Sequence, residues 1–406
     1  MILKFRRILD TYPRQFWLLV VVMMLAWTFH SMIWPFLILY ASQKLNQPLT
    51  TVAGLLTLNA VMGILTTFIG GAIADRFGRK WVMAFSLILC ALSWFFFQLA
   101  GTLPLFALLM ALTGATTPLY RLAADAMVAD LVPAEDRITA YSVMRLGNNL
   151  GVALGPAIGG FMAAISYNIS FAVVGIGIFV CGLLVVVFSI ETVPLLQPNV
   201  GVPQPPISGY LTALKDRNFL NFLGSFSFNR ICSSILWLLL AVYTKQNFGI
   251  SEKLFGFIPM TNAIMVVLFQ IFVTNWVKRR PPVPSMALGA FFYAAAVFAV
   301  AFGRGFWVFW FCMVVATIGE MILLPTSTTY VSRLAPDHMR ARYMGLYTLT
   351  WGIGTGVGPL LGGILSDQIN PPAIWIGGGI IGLIGAILFC FSSRTSERLS
   401  WRKFEV

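Results

Sequence analysis

Twelve apolar segments, most of them about 20 residues or longer, follow one another along this chain. An α-helix of about 20 residues crosses the roughly 30 Å hydrocarbon layer of a bilayer, and in lipid every backbone N–H and C=O must be satisfied within the segment itself. A series of this kind folds as a bundle of membrane-crossing helices. The segments are read over 16–42, 51–74, 81–100, 104–131, 139–165 and 169–190, then over 218–244, 254–277, 284–302, 306–333, 343–366 and 374–393. Charge content agrees: 10% of the residues are charged, against roughly 25% in soluble domains. The expected fold is an all-α membrane protein.

Between the sixth and seventh segments lies ETVPLLQPNVGVPQPPISGYLTALKDR, a proline-rich stretch without an apolar run. It divides the chain into a six-helix half over 1–190, a cytoplasmic linker over 191–217 and a second six-helix half with a short tail over 218–406. The halves repeat each other. RLGNNLGVALGPAIGG, from Arg145 to Gly160, and TLTWGIGTGVGPLLGG, from Thr348 to Gly363, carry one scaffold half a chain length apart. Gly151, Gly155, Pro156, Gly159 and Gly160 recur as Gly354, Gly358, Pro359, Gly362 and Gly363. VPAEDR ahead of the first run likewise answers APDHMR ahead of the second. Glycines four apart share a helix face and let a neighbouring backbone approach, while a mid-span proline bends the helix. These two segments, five and eleven, are expected to pack tightly and to rock.

The distribution of basic residues sets the orientation. With the N-terminus in the cytoplasm, most of the 27 Lys and Arg fall on that side, and only Lys44, Lys245, Lys253 and Arg304 lie on the other. The expected location is therefore the cell membrane, with multiple passes and both termini cytoplasmic. A formal charge of +13 would suggest nucleic acid in a soluble chain, but here it is spread over short loops beside an anionic leaflet, so no nucleic-acid partner is expected. The five cysteines are isolated within apolar segments and imply neither a disulfide framework nor a metal site. No GK[ST] phosphate-binding loop is present, and with His30 and His338 as the only histidines an HExxH metal site is excluded. The chain is not expected to be an enzyme or to need a cofactor beyond a proton gradient.

The loop after the second segment reads GGAIADRFGRK. Gly71, Asp75, Arg76, Gly78, Arg79 and Lys80 match, position by position, the signature that follows the second helix in the major facilitator superfamily, which this chain resembles over essentially its whole length. The glycine run of segment five is similar to that of the family's drug:proton antiporters, with Ser142 where their first glycine stands. The resemblance implies two pseudo-symmetric six-helix halves around a midplane site. It also implies a charge relay in which Asp130 answers Arg79. Asp75 at the cytoplasmic edge is well placed to meet the N-terminus of segment eleven, as a cytoplasmic gate. The matching loop of the second half, TNWVKRRPP, has Asn275 roughly where the acid would be. In segment four Met110 stands where the family usually has an arginine, ahead of a retained Gly114.

Ionisable residues inside the spans are costly in hydrocarbon and usually face a cavity or a partner. Glu320 lies near the middle of segment ten and Arg230 at similar depth in segment seven. They either form a static pair, or Glu320 alternates between a proton and a cationic substrate or Arg230. Arg121 and Asp125, four apart, can meet on one helix face. His30 can titrate near neutral pH. Glu320, Asp125 and His30 are thus the proton-coupling candidates; Arg230, Arg145, Asn148, Asn149, Arg121 and Trp34 are the cavity candidates. The expected function is a monomeric secondary transporter that exports amphipathic or drug-like small molecules in exchange for protons by alternating access. Uptake or lipid translocation on the same scaffold is the alternative, and a non-transport membrane protein the more distant one.

Overall fold

The protein is described by a computed structural model covering residues 12–133, 136–192, 212–336 and 339–400. Among these residues every regular element is helical. Helix α1 covers Arg14–Leu45, α2 Leu49–Phe77, α3 Arg79–Phe97, α4 Leu103–Leu131, α5 Arg137–Ile165 and α6 Tyr167–Phe188. Helix α7 covers Arg217–Phe248, α8 Glu252–Val277, α9 Pro282–Val300, α10 Phe306–Leu334, α11 Arg340–Gln368 and α12 Ala373–Ser400. Eleven of these are long and apolar enough to cross a membrane. The exception, α11, has 29 residues but is diluted by glycine, threonine and arginine. The helices fall where the apolar segments lie, and most of the linker read from the sequence falls outside the described residues.

Local chemistry sets the helix ends. Pro35, which lacks an N–H, sits in a 3-10 turn at Trp34–Phe36 that interrupts α1. Gly78, at φ +90°, separates α2 from α3. Asp216 caps α7 by accepting from the N–H groups of Asn218 and Phe219 at 3.0 and 3.2 Å, and Gly249, at φ +66°, ends the same helix. Pro156 and Pro359 lie inside continuous helices, which membrane helices tolerate because neighbours re-satisfy the freed carbonyl.

Two compact units emerge. The first contains Met1–Leu45 and Leu58–Gln197, the second Asn46–Thr57 and Pro198–Val406. Inside the first unit, Trp94, Phe97, Phe106 and Phe171 form a buried aromatic cluster joined by Tyr40. Inside the second, Phe219, Phe222 and Phe226 on α7 pack against Tyr330, Tyr343, Tyr347 and Phe389. Rings of this size bury the most apolar area per residue and fix each unit's packing.

The repeated glycine seams lie within these units. A Cβ on Gly155 would fall 2.7 Å from the Thr28 carbonyl oxygen and against the Ser31 side chain; one on Gly151 would fall 2.5 Å from the Met24 oxygen. A Cβ on Gly159 would strike the Met32 backbone, so α5 lies backbone to backbone on α1. In the second unit α11 lies on α7 in the same way, Gly354 against Arg230 and Gly358 against Ile231 and Ser234. Gly362 meets Leu239, Gly363 packs on Thr50, and Gly160 is buried. A serine repeats with the glycines: Ser31 donates through Oγ to the Gly151 oxygen at 3.2 Å, and Ser234 to the Gly354 oxygen at 2.5 Å. Each seam is thus a close backbone contact inside one unit, of the kind small residues permit between membrane helices.

Candidate functional site

Glu320 stands midway along the 29-residue α10. Its Oε2 accepts from Asn262 Nδ2 of α8 at 2.9 Å and from the Tyr293 hydroxyl of α9 at 3.0 Å. Asn262 also donates to Thr317 Oγ1 at 3.0 Å, and Trp237 Nε1 of α7 donates to the Tyr293 oxygen at 3.4 Å. Two neutral donors, from α8 and α9, thus hold the carboxyl group of α10, and α7 backs one of them. Because both bonds arrive at Oε2, Oε1 can take up or give away a proton without breaking either.

Arg230 does not complete an ion pair with this group. The ion pairs between described residues are Arg79 with Asp75, Arg79 with Asp130, and Lys245 with Glu252. Arg230 is buried, and its guanidinium lies over the Trp351 ring with 3.6 Å from Cζ to the centroid. That contact offsets part of the cost of a buried cation. Of the two alternatives, the static Glu320–Arg230 ion pair does not close: an amide and a phenol hold the carboxyl, and the cation lies on an indole of the same unit.

A counterpart without the acid exists in the first unit. Asn59 Nδ2 donates to the Met110 oxygen at 2.9 Å and to Thr113 Oγ1 at 3.1 Å. Asn59 precedes Asn262 by the same half chain length that separates the glycine seams, and Cys90 precedes Tyr293 by that offset. The repeat thus keeps its asparagine–threonine contact in both units, while the tyrosine and the glutamate belong to the second. Asn262 and Tyr293 are absent from the sequence-derived candidates, although the constant offset marks Asn262.

Other candidates are dispersed within the first unit. Arg121 and Asp125 do not form the expected pair, since no ion pair closes between them; the Asp125 backbone oxygen instead accepts from the Tyr141 hydroxyl at 2.9 Å. His30 is buried and stacked on Trp34 at 5.0 Å between centroids, with Trp27 and Trp94 edge-on. Three indole rings thus surround the imidazole. Arg145 and Asn149 are exposed, and Asn148 is partly buried.

The loop between α2 and α3 is built from two ends. Arg79 bonds Asp130 of α4, donates to the Ala126 oxygen at 3.2 Å and reaches Asp75 at 3.4 Å. Glu191, just past α6, accepts from the Arg79 N–H at 2.9 Å and so caps the start of α3. Its carboxyl lies in the space beside Gly78 that a Cβ would need; a flexible side-chain end can move aside, so it is the positive φ that calls for glycine there. Gly71 has open space around it, whereas the neighbouring Gly70 faces Leu122 and Leu119. Arg76 and Lys80 lie over the Phe77 and Trp81 rings. Because the Asp75 side chain is 69% exposed and that of Asp130 is 25% exposed, Asp130→Asn is expected to destabilise the protein by about 1–3 kcal/mol and Asp75→Asn by less than about 1 kcal/mol. Thermal unfolding of the two variants at low and high salt checks the order, and equal losses would contradict it.

A bundle of long apolar helices whose halves repeat one small-residue seam, with a carboxyl group held mid-helix, has the form of a membrane transporter. The chain belongs to the Major Facilitator Superfamily, which it matches over residues 17–232 and 222–405. It is a multi-pass membrane protein and not an enzyme. It is 27% identical over 369 residues to a "Na(+), Li(+), K(+)/H(+) antiporter" of Planococcus maritimus, covering 81% of this chain and 84% of that one. The "Quinolone resistance protein NorA" of Staphylococcus aureus (strain MSSA476) is 24% identical over 335 residues, covering 81% and 84%. Among solved structures, a variant of the nucleoside transporter NupG superposes with a TM-score of 0.79 at 13% identity, covering 93% of this chain and 100% of that one.

Proposed function

We propose that this transporter is a proton-coupled antiporter that exports amphipathic small molecules across the cell membrane, with Glu320 as the coupling group. The observation that carries the reading is the neutral cradle of Glu320: one carboxyl, mid-helix, held by Asn262 and Tyr293, with no ion pair to a cation among the described residues. A charge at that depth is costly, so the group cycles between a protonated form and a form neutralised by a cationic substrate or by Arg230. The relatives named for cation/proton antiport and for quinolone resistance support the class. The basic-residue asymmetry favours cytoplasmic termini, two six-helix halves over 1–190 and 218–406 alternate access as a monomer, and Asp75 with Arg79 gates the cytoplasmic side.

Exchange of a monovalent cation for a proton is the second reading, favoured by the same carboxyl group and by the first relative's name. Purified protein in proteoliposomes with an imposed pH gradient separates the two. Gradient-dependent movement of lipophilic cations and quinolones, without movement of Na⁺, Li⁺ or K⁺, is the expected result. Movement of the alkali cations alone would replace it with the second reading, and movement indifferent to the gradient would remove proton coupling.

A further inference from the structure

The far end of α8 reads TNWVKRRPP, and its charges are arranged unlike those of the α2–α3 loop. There, Arg79 is consumed by Asp130 and Asp75, and Glu191 caps the helix that follows. Here three basic residues follow one another without an acid, and none forms an ion pair with a described residue. Asn275, Trp276, Arg279 and Arg280 line an open hollow of about 510 Å³. Arg280 lies over the Trp276 ring with 4.0 Å from Cζ to the centroid, which holds its guanidinium flat while leaving its edge N–H groups available. Directly along the helix, Val267, Leu268, Ile271 and Phe272 expose 66%, 56%, 70% and 70% of their surface. A cationic hollow thus continues into an apolar stripe.

We infer that this hollow binds the phosphate of an anionic phospholipid headgroup, with the acyl chains along the exposed face of α8. Two arginines supply the planar donors that phosphate oxygens accept. An indole beside them is the side chain favoured at the membrane–water boundary. The end in question is the one that the basic-residue asymmetry assigns to the cytoplasmic leaflet, where anionic lipids attract such clusters. Free inorganic phosphate would use the same arginines; the apolar stripe argues for the lipid.

The test uses the full-length purified protein in neutral detergent, titrated with phosphatidylglycerol, phosphatidylcholine or inorganic phosphate, with retained lipid counted by native mass spectrometry and thermal unfolding followed in parallel. Phosphatidylglycerol is expected to be retained and to raise the unfolding temperature, and phosphatidylcholine to do neither. The double variant R279Q/R280Q should weaken retention by about tenfold or more. The control K215Q/R217Q, which removes two charges elsewhere, should keep wild-type retention. Equal loss in both variants would mean general charge attraction, and unchanged retention in R279Q/R280Q would remove these residues; either overturns the inference. Stabilisation by inorganic phosphate alone, equal to that by the lipid, would replace it with a free-anion site. Should R279Q/R280Q unfold before titration, R279K/R280K retains the charge without the planar fork and is expected to bind more weakly than wild type; equal binding would again overturn it.

Discussion

Gradient-driven transport is expected to fall to the level of protein-free vesicles in Glu320→Gln, with the fold intact. The amide keeps an oxygen to accept from Asn262 and Tyr293, bonds of 2.9 and 3.0 Å in the native protein, but it cannot take up or release a proton. The neighbouring helices therefore lose no partner, and the unfolding temperature should move little. Counterflow of an uncharged substrate, in which labelled substrate exchanges against unlabelled substrate without a gradient, should survive. Tyr293→Phe is the companion variant: it removes one of two donors, worth about 1 kcal/mol, and should slow transport without uncoupling it. Wild-type gradient dependence in Glu320→Gln would exclude this residue from coupling. Loss of counterflow together with loss of the gradient effect would assign Glu320 to substrate binding instead.

Leucine at Gly155 or Gly358 is expected to abolish transport by deforming a unit from within. At Gly155 the first atom of any side chain meets backbone on α1, the Thr28 oxygen at 2.7 Å and the Met32 nitrogen at 2.9 Å. At Gly358 it meets the Ile231 oxygen at 2.7 Å. Backbone atoms cannot swing aside as side chains do, so the helices must separate and the Ser31 and Ser234 bonds across the seams must open. Overpacking of this kind destabilises by about 1–3 kcal/mol, occasionally more. Gly224, around which a Cβ would meet nothing within 4 Å, provides the control, and Gly224→Ala should transport at the wild-type rate. Membrane insertion, unfolding temperature and transport, measured together, provide the check. If both leucine variants transport normally, the seams are not rigid contacts.

The relation between motif and packing differs from glycine to glycine. The loop signature names Gly71 and Gly78 alike, yet Gly78 is fixed by its positive φ, while the space around Gly71 would admit a side chain. A motif read along the chain weights its positions equally; burial and backbone angle do not.

Helix number, the duplication and the existence of a mid-span acid follow from the chain alone. Apolar length is a local property, as lipid obliges each span to satisfy its own backbone. The repeat is likewise a matter of spacing: the offset that links Gly155 to Gly358 also links Ser31 to Ser234 and Asn59 to Asn262. What no local rule supplies is which side chain answers which charge. Glu320 and Arg230 share a depth, and that suggests a pair. Packing instead turns the acid toward Asn262 and Tyr293 and lays the arginine on Trp351. Arg121 and Asp125 have the spacing of a helical pair and do not close one. Partner choice depends on the rotation of each helix about its axis, which contacts among several helices fix together, and sequence spacing along one helix carries no record of it.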